Sequence, residues 1–275
     1  MEKLEKLKNL IYQIIGKNPF LLRSLECIEQ HGDKLPHIEL VYQKSSSYSD
    51  DTIKLGLTDI IECYFLANEY KSNLKNRIRI NPQNDENTKR HRKCKGIYIE
   101  MPISKLDDVE LNIMESDFLN DDENIKICDA LAIYSSAFSL YHEFGHALHD
   151  KFIPKSQPIA RELAADTFAF EAVMSMHEIE DDDVLFMGVF VAIIEMLKMQ
   201  NNVDDKHPHS IKRLYNLFQF WKIKDESLYW NHAYDAVIKW CDKNNLPITW
   251  GRKTFRTSKD KFIDAYACVY NYLQP

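Results

Sequence analysis

The chain has 275 residues, 45% of them hydrophobic and 28% charged, with a formal charge of -7. That length can bury one large core or two smaller ones, and the negative balance argues against nonspecific nucleic-acid binding. Glycine is scarce at seven residues, and neither GxGxxG nor a Walker-type phosphate loop occurs, which argues against a glycine-rich phosphate-binding loop.

In chain order, Leu4, Leu7, Leu10, Ile11 and Ile14 recur at helical intervals in a charged, amphipathic start that does not read as a signal peptide. A second helix is predicted from Pro19 to about Gln30. IELVYQ (38–43) reads as a strand, SSSYSDD (45–51) as a turn or helix cap, and Leu57 to about Lys71 as a helix. RIRI (77–80) is a short strand candidate, and the polar, basic stretch 81–95 a solvated loop. GIYIEMP (96–102) alternates as a strand does and ends at proline. Acidic, irregular sequence fills 107–124.

A mostly apolar helix is predicted from Ile125 to about Asp150. KFIPKSQP (151–158) is a loop broken by two prolines, followed by a helix from about Ala160 to Met176. EIEDDD (178–183) separates that helix from an apolar one at 184–199. Its longest apolar run, VLFMGVFVAII, has too few residues to cross a bilayer, so no transmembrane anchor is expected. Beyond Pro208 the pattern gives three or four aromatic-rich helices, with tryptophans at 221, 230, 240 and 250 as core residues. The basic segments KRHRKCK (89–95) and RKTFRTSKDK (252–261) read as solvated loops, so no nucleic-acid partner is expected. The six cysteines lie far apart with no CxxC, which suits thiols in a reducing compartment and predicts a cytoplasmic location.

The chemistry concentrates in YHEFGHALHD (141–150). On a helix, residues four apart stack on one face about 5–6 Å apart. His142 and His146 can therefore aim imidazole nitrogens at one ion while Glu143 reaches a water beside it, the arrangement a hydrolytic zinc needs. Gly145, in mid-helix, costs about 1 kcal/mol relative to alanine and predicts close approach of another helix. A third protein ligand is supplied by RELAADTFAFE (161–171), where Glu162 and Asp166 are again four apart. Glu162 completes the donor set and Asp166 accepts the far N–H of a ligating histidine. His149 shares the face of the other two histidines but lies about 10 Å along the axis from His142, so it is placed at the rim of the site rather than among the ligands.

HEFGH, ELAAD and KHPHSIKR (206–213) together resemble the HExxH, ExxAD and HP-x4-R succession of the gluzincins. That succession occurs in the membrane-associated prenyl-protein and heat-shock zinc endopeptidases. The chain is also similar to the soluble, Lit-type phage-exclusion peptidases. The resemblance covers residues 141–213 and implies His142, His146 and Glu162 as ligands of one zinc per chain, with Glu143 as general base. It implies Asp166 behind a ligating histidine, His207 near the oxyanion, and Arg213 holding the local structure of its segment.

The fold expected on this basis is α+β, a mostly helical zincin-like metallopeptidase with a small sheet beside the active-site helix. It would form a single domain over 1–275, with the core at about 96–220, an N-terminal helical and strand region before it, and a C-terminal helical region at 221–275. The substrate would be an intracellular protein, bound as an extended chain along Ile97, Tyr98 and Ile99, in a strand that is equally well an internal one. Two other functions fit the same motifs: a zinc-bound regulatory or toxin-like interaction protein without peptidase activity, and a hydrolase acting on a bond other than a peptide.

Overall fold

The computed structural model describes residues 18–30, 36–41, 46–56, 63, 66, 67, 70, 99, 100, 122–149, 151–178, 180–200, 208–246 and 254–273. The elements expected at 2–14 and 77–80, the loop at 81–95, and residues Ile97, Tyr98 and His207 lie outside these. The described elements are α1 (Pro19–Gln30), β1 (His37–Val41), β2 (Ser47–Ser49), β3 (Thr52–Gly56), β4 (Ile99–Glu100), α2 (Asp122–His149), α3 (Pro158–Met174), α4 (Asp182–Met199), α5 (Ser210–Phe220), α6 (Leu228–Lys243) and α7 (Ser258–Leu273). This is a mostly helical α+β architecture. Among the described residues, no helix is long and apolar enough to cross a membrane. The chain divides into two compact units, Met1–Ala192 and Ile193–Pro275.

In the first unit α2 is the central element. Leu131, Ala132, Ile133, Tyr134, Ala137, Phe138, Leu140, Tyr141 and Phe144 are all buried, so apolar residues occupy every side of the helix rather than one stripe. A helix of that pattern has to lie inside a core. Two glycines let other backbones come close to it. A Cβ on Gly188 of α4 would lie 2.3 Å from Cβ of Tyr134. At the same crossing, Oγ of Ser135 lies 2.7 Å from the Gly188 carbonyl. The second glycine, Gly145, belongs to the site.

α1 is tied to the end of α3 through Asn18, which is fully buried. Its Oδ1 accepts from the Leu21 amide at 2.9 Å, capping α1. Its Nδ2 donates to the Ala172 carbonyl at 2.7 Å. Phe20 and Phe168 bring their rings to 5.2 Å across the same contact. Cys63, Leu66, Ala67 and Tyr70 are helical and buried. Their i, i+3, i+4, i+7 spacing is the apolar stripe expected of the helix predicted over 57–71.

The sheet has the order β2–β3–β1–β4. β1 runs parallel to both β3 and β4, with Ile38 opposite Ile53 and opposite Ile99. β2 and β3 form an antiparallel hairpin. This hairpin departs from the sequence expectation, which took SSSYSDD as a turn or cap and assigned no strand to TIKLG. The turn itself is Asp50–Asp51, both with positive φ (50° and 59°). Two consecutive left-handed residues suit the twist of a two-residue hairpin. Ile53 and Leu55 then alternate inward, a period of two that five residues express only weakly. α2 packs against β2 and β3, so the small sheet lies beside the histidine-bearing helix.

The second unit is built on aromatic contacts among α5, α6 and α7. Phe218 meets Trp230 at 4.1 Å and Phe262 at 5.8 Å, while Trp230 and Phe262 lie 5.5 Å apart. Three helices therefore share one aromatic core, within the range of three or four expected. Gln200 ties the unit together. Its carbonyl accepts from Nε1 of Trp240 at 2.7 Å, and its Oε1 accepts from the Ser210 amide at 2.8 Å. His209 caps α5, its Nδ1 accepting from the Ile211 amide at 3.3 Å. Its ring packs edge-on against Trp240 at 4.9 Å.

Burial of the His209 ring lowers its pKa from 6.5 to about 4. The unfolded chain therefore takes up a proton near pH 6.5 that the folded chain refuses until near pH 4. The stability contributed by the neutral ring is complete above about pH 6.5 and is lost as pH falls toward 4. Asparagine caps helices well and does not titrate. The expected outcome is that wild type loses on the order of 2–3 kcal/mol more than His209→Asn between pH 6.5 and 4, measured by urea unfolding of both proteins across that range. Parallel pH dependences in the two would contradict this account of the cap.

Candidate metal centre

The sequence places two histidines on one helix and two carboxylates on another, and folding has to bring the two faces together. α3 starts with Pro158 in its first turn, a position where the missing amide hydrogen is no loss. The turn before it reverses the chain, so α3 packs against α2. The contact is close because Gly145 faces Ala165. A Cβ on Gly145 would lie 2.7 Å from Cα of Ala165 and 3.1 Å from its carbonyl oxygen. The mid-helix glycine is thereby explained: any side chain there would push the two helices apart.

At this contact the donor atoms converge. Nε2 of His142 and Nε2 of His146 are 3.1 Å apart. Glu162 places Oε2 3.4 Å from the first and Oε1 3.2 Å from the second. On the far side of the ring, Nδ1 of His142 lies 3.0 Å from Oδ1 of Asp166. The two carboxylates, one helical turn apart on α3, thus face opposite nitrogens of the same imidazole. A hydrogen bond from Nδ1–H to Asp166 would leave the Nε2 lone pair on the side of Glu162, the tautomer a metal ligand requires.

This donor set fits zinc. Three ligands about 2.0–2.2 Å from a common tetrahedral centre would be about 3.3–3.6 Å from one another. The separations found here, 3.1–3.4 Å, lie within a few tenths of an ångström of that. Two imidazoles and one carboxylate are also the mixture that leaves a fourth corner for water. The side chains of His146 and Glu162 keep 14% and 12% of their surface exposed, so solvent reaches that corner. Asp166 is 1% exposed, which suits a group that acts through the ring in front of it.

Glu143 follows His142 on α2 and is buried. His149, the rival ligand, stands apart from the donor cluster, which among the described residues comprises His142, His146 and Glu162. Its ring packs edge-on against Phe168 of α3 at 5.8 Å. Arg213 is buried in α5, its Nη1 4.0 Å from Sδ of Met196. His207 lies outside the described residues, as do Ile97 and Tyr98. Ile99 lies in β4, at one end of the sheet, whereas α2 packs against β2 and β3. The sequence reading missed β2 because a three-residue Ser-Tyr-Ser strand carries almost no periodicity. The Asp–Asp pair before an alternating TIKLG was the one usable signal.

The family model of Peptidase U49 matches residues 60–233, well over half of the chain. The matched range contains the whole donor cluster and Arg213. No curated protein and no solved structure matches the chain.

Two outcomes are expected of this site. Wild type should carry about one zinc per chain by elemental analysis, with His142→Ala, His146→Ala and Glu162→Ala losing it and His149→Ala retaining it. Retention by Glu162→Ala together with loss by His149→Ala would move the third ligand to His149. Gly145→Ala should separate α2 from α3 where the donors meet. Overpacking of this kind destabilises by about 1–3 kcal/mol, and zinc affinity should fall at least tenfold in a competition titration.

Proposed function

The chain belongs to the Peptidase U49 family, and from that membership and its His–His–Glu cluster we propose a zinc endopeptidase that cuts an intracellular protein. Family and cluster together make it a zinc metallopeptidase of the gluzincin type. The observation that carries the mechanism is the convergence of His142, His146 and Glu162 within coordinating distance of one point, with Asp166 behind the first ring.

In the proposed reaction His142, His146 and Glu162 hold the ion. When bound, zinc supplies Lewis acidity, polarising the scissile carbonyl and making a nearby water acidic enough to attack at neutral pH. Glu143 takes the proton of the attacking water and delivers it to the departing amine. Its position directly after His142 puts it beside the metal without spending a coordination corner on it. Asp166 keeps the His142 ring in one tautomer and one orientation. His207 is the candidate partner for the oxyanion and Arg213 for the structure of its segment, both by resemblance.

An extended substrate would add to the sheet through main-chain hydrogen bonds. Among the described residues, β2 and β4 end the sheet. β2 is the end packed with α2 and runs antiparallel to its neighbour, which favours Ser47–Ser49 as the docking edge. The alternative is the segment read from the sequence, Ile97, Tyr98 and Ile99, of which Ile99 lies in β4. The cytoplasmic location rests on the six widely spaced cysteines with no CxxC, a pattern that suits thiols in a reducing compartment.

Glu143→Gln separates an enzyme from a zinc-bound interaction protein. The change preserves shape and removes the base, so zinc content and folding should be unchanged. Peptidase activity should fall by about 10²–10⁴-fold, the usual worth of a positioned proton transfer. Comparing new protein N-termini in cells expressing wild type or Glu143→Gln should give termini made by the wild type alone. The same biological effect and the same termini from both proteins would leave the interaction reading in possession.

A further inference from the structure

On α3, Ile159, Glu162, Asp166 and Ala169 recur at intervals of three and four and so lie along one face. Exposure along that face rises toward the start of the helix. Ala169 is fully buried, Asp166 is 1% exposed, Glu162 9% and Ile159 36%. On α2 the trend runs the other way along the chain. His142 and Glu143 are buried, whereas His146 and His149, nearer the end of that helix, are partly exposed. The end of α2 and the start of α3 are the two ends joined by the turn between them. Both gradients therefore point to one side, and the donor cluster opens to solvent at the α2–α3 turn.

Large apolar groups stand at this opening. Ile159 lies one helical turn before Glu162, which puts the two Cβ atoms about 5–6 Å apart. Phe152 is 74% exposed and is held close to the end of α2. Its amide donates to the His149 carbonyl at 2.9 Å, and the Ile153 amide donates to the same carbonyl at 3.3 Å. The turn is braced again where the Gln157 amide donates to the Pro154 carbonyl at 2.9 Å, and Pro154 and Pro158 each fix their own φ. Single exposed apolar residues are ordinary on a protein surface. These two flank the opening of a site that has to take hold of a polypeptide. We propose that Ile159 and Phe152 are specificity-determining residues that receive a large apolar side chain of the substrate. An extended chain rises about 3.3 Å per residue, so that side chain lies within about three residues of the bond that is cut. The assignment rests on the endopeptidase reading and names the substrate class it leaves open: a segment with an apolar residue beside the cleavage point. Because the contact is remote from the reacting carbonyl, it is made alike in the bound substrate and in the transition state, and it governs KM rather than kcat.

The test uses the full, zinc-loaded chain and a peptide library prepared from a cell proteome, with cut sites identified by mass spectrometry. Wild type should enrich leucine, isoleucine, methionine or phenylalanine at one fixed position beside the cut. In the double variant Phe152→Ser, Ile159→Ser that enrichment should disappear while zinc content stays at the wild-type value. On a peptide carrying the preferred residue, the double variant should raise KM about tenfold, the usual worth of lost apolar contacts in a specificity site, with kcat little changed. Replacing that residue of the peptide by serine should cost wild type the same factor and the double variant almost nothing. An unaltered preference in the double variant, or a wild-type preference that is polar at every position, would overturn the proposal and leave the peptidase standing. Cuts by wild type no different from those by Glu143→Gln would overturn the endopeptidase reading, and this proposal with it.

Discussion

The contact between Gly145 and Ala165 sets the distance between two histidines on α2 and two carboxylates on α3. Donor groups on separate helices can share one ion only if the helix axes come close enough for short side chains to meet. Glutamate and aspartate are short, and imidazole is rigid. A glycine on one helix and an alanine on the other permit that approach, and the separations of 3.1–3.4 Å among the donors follow from it. The rest of the first unit supports the same two helices. The α4 backbone closes on α2 at Gly188, and Asn18 fastens α1 to the end of α3.

The site combines buried polar groups with an apolar frame, and each polar group has a reason to be there. Two imidazole nitrogens and a carboxylate facing one another would be a costly arrangement without a cation, because lone pairs would be opposed in a place partly shielded from water. A divalent ion held between them would offset that cost. Asp166 lies 3.0 Å behind His142, where a carboxylate would orient a ring that holds a metal. A metal held by this cluster would therefore also stabilise the fold around it.

The two units rest on different kinds of packing. The first relies on close backbone approach at small residues, Gly145 against Ala165 and Gly188 against Tyr134. The second relies on large rings, Phe218, Trp230 and Phe262, with hydrogen bonds to Gln200 and a buried capping histidine.

Local periodicity made much of this legible from residues alone. Prolines and apolar spacing marked α1, α2, α3 and α4 to within a few residues, because a helix is built from contacts three and four apart. HEFGH and ELAAD carried the donor set for the same reason: residues four apart on a helix share a face wherever the helix goes. What the residues could not express was long-range. The hairpin of β2 and β3 depends on pairing between strands too short to show a period, and its turn on two aspartates held at positive φ. That His149 rests on Phe168, while Glu162 reaches the rings of both His142 and His146, depends on how α3 lies against α2. That packing is set by shape complementarity between distant segments, here a missing Cβ opposite an alanine, and only the folded chain brings those two residues together.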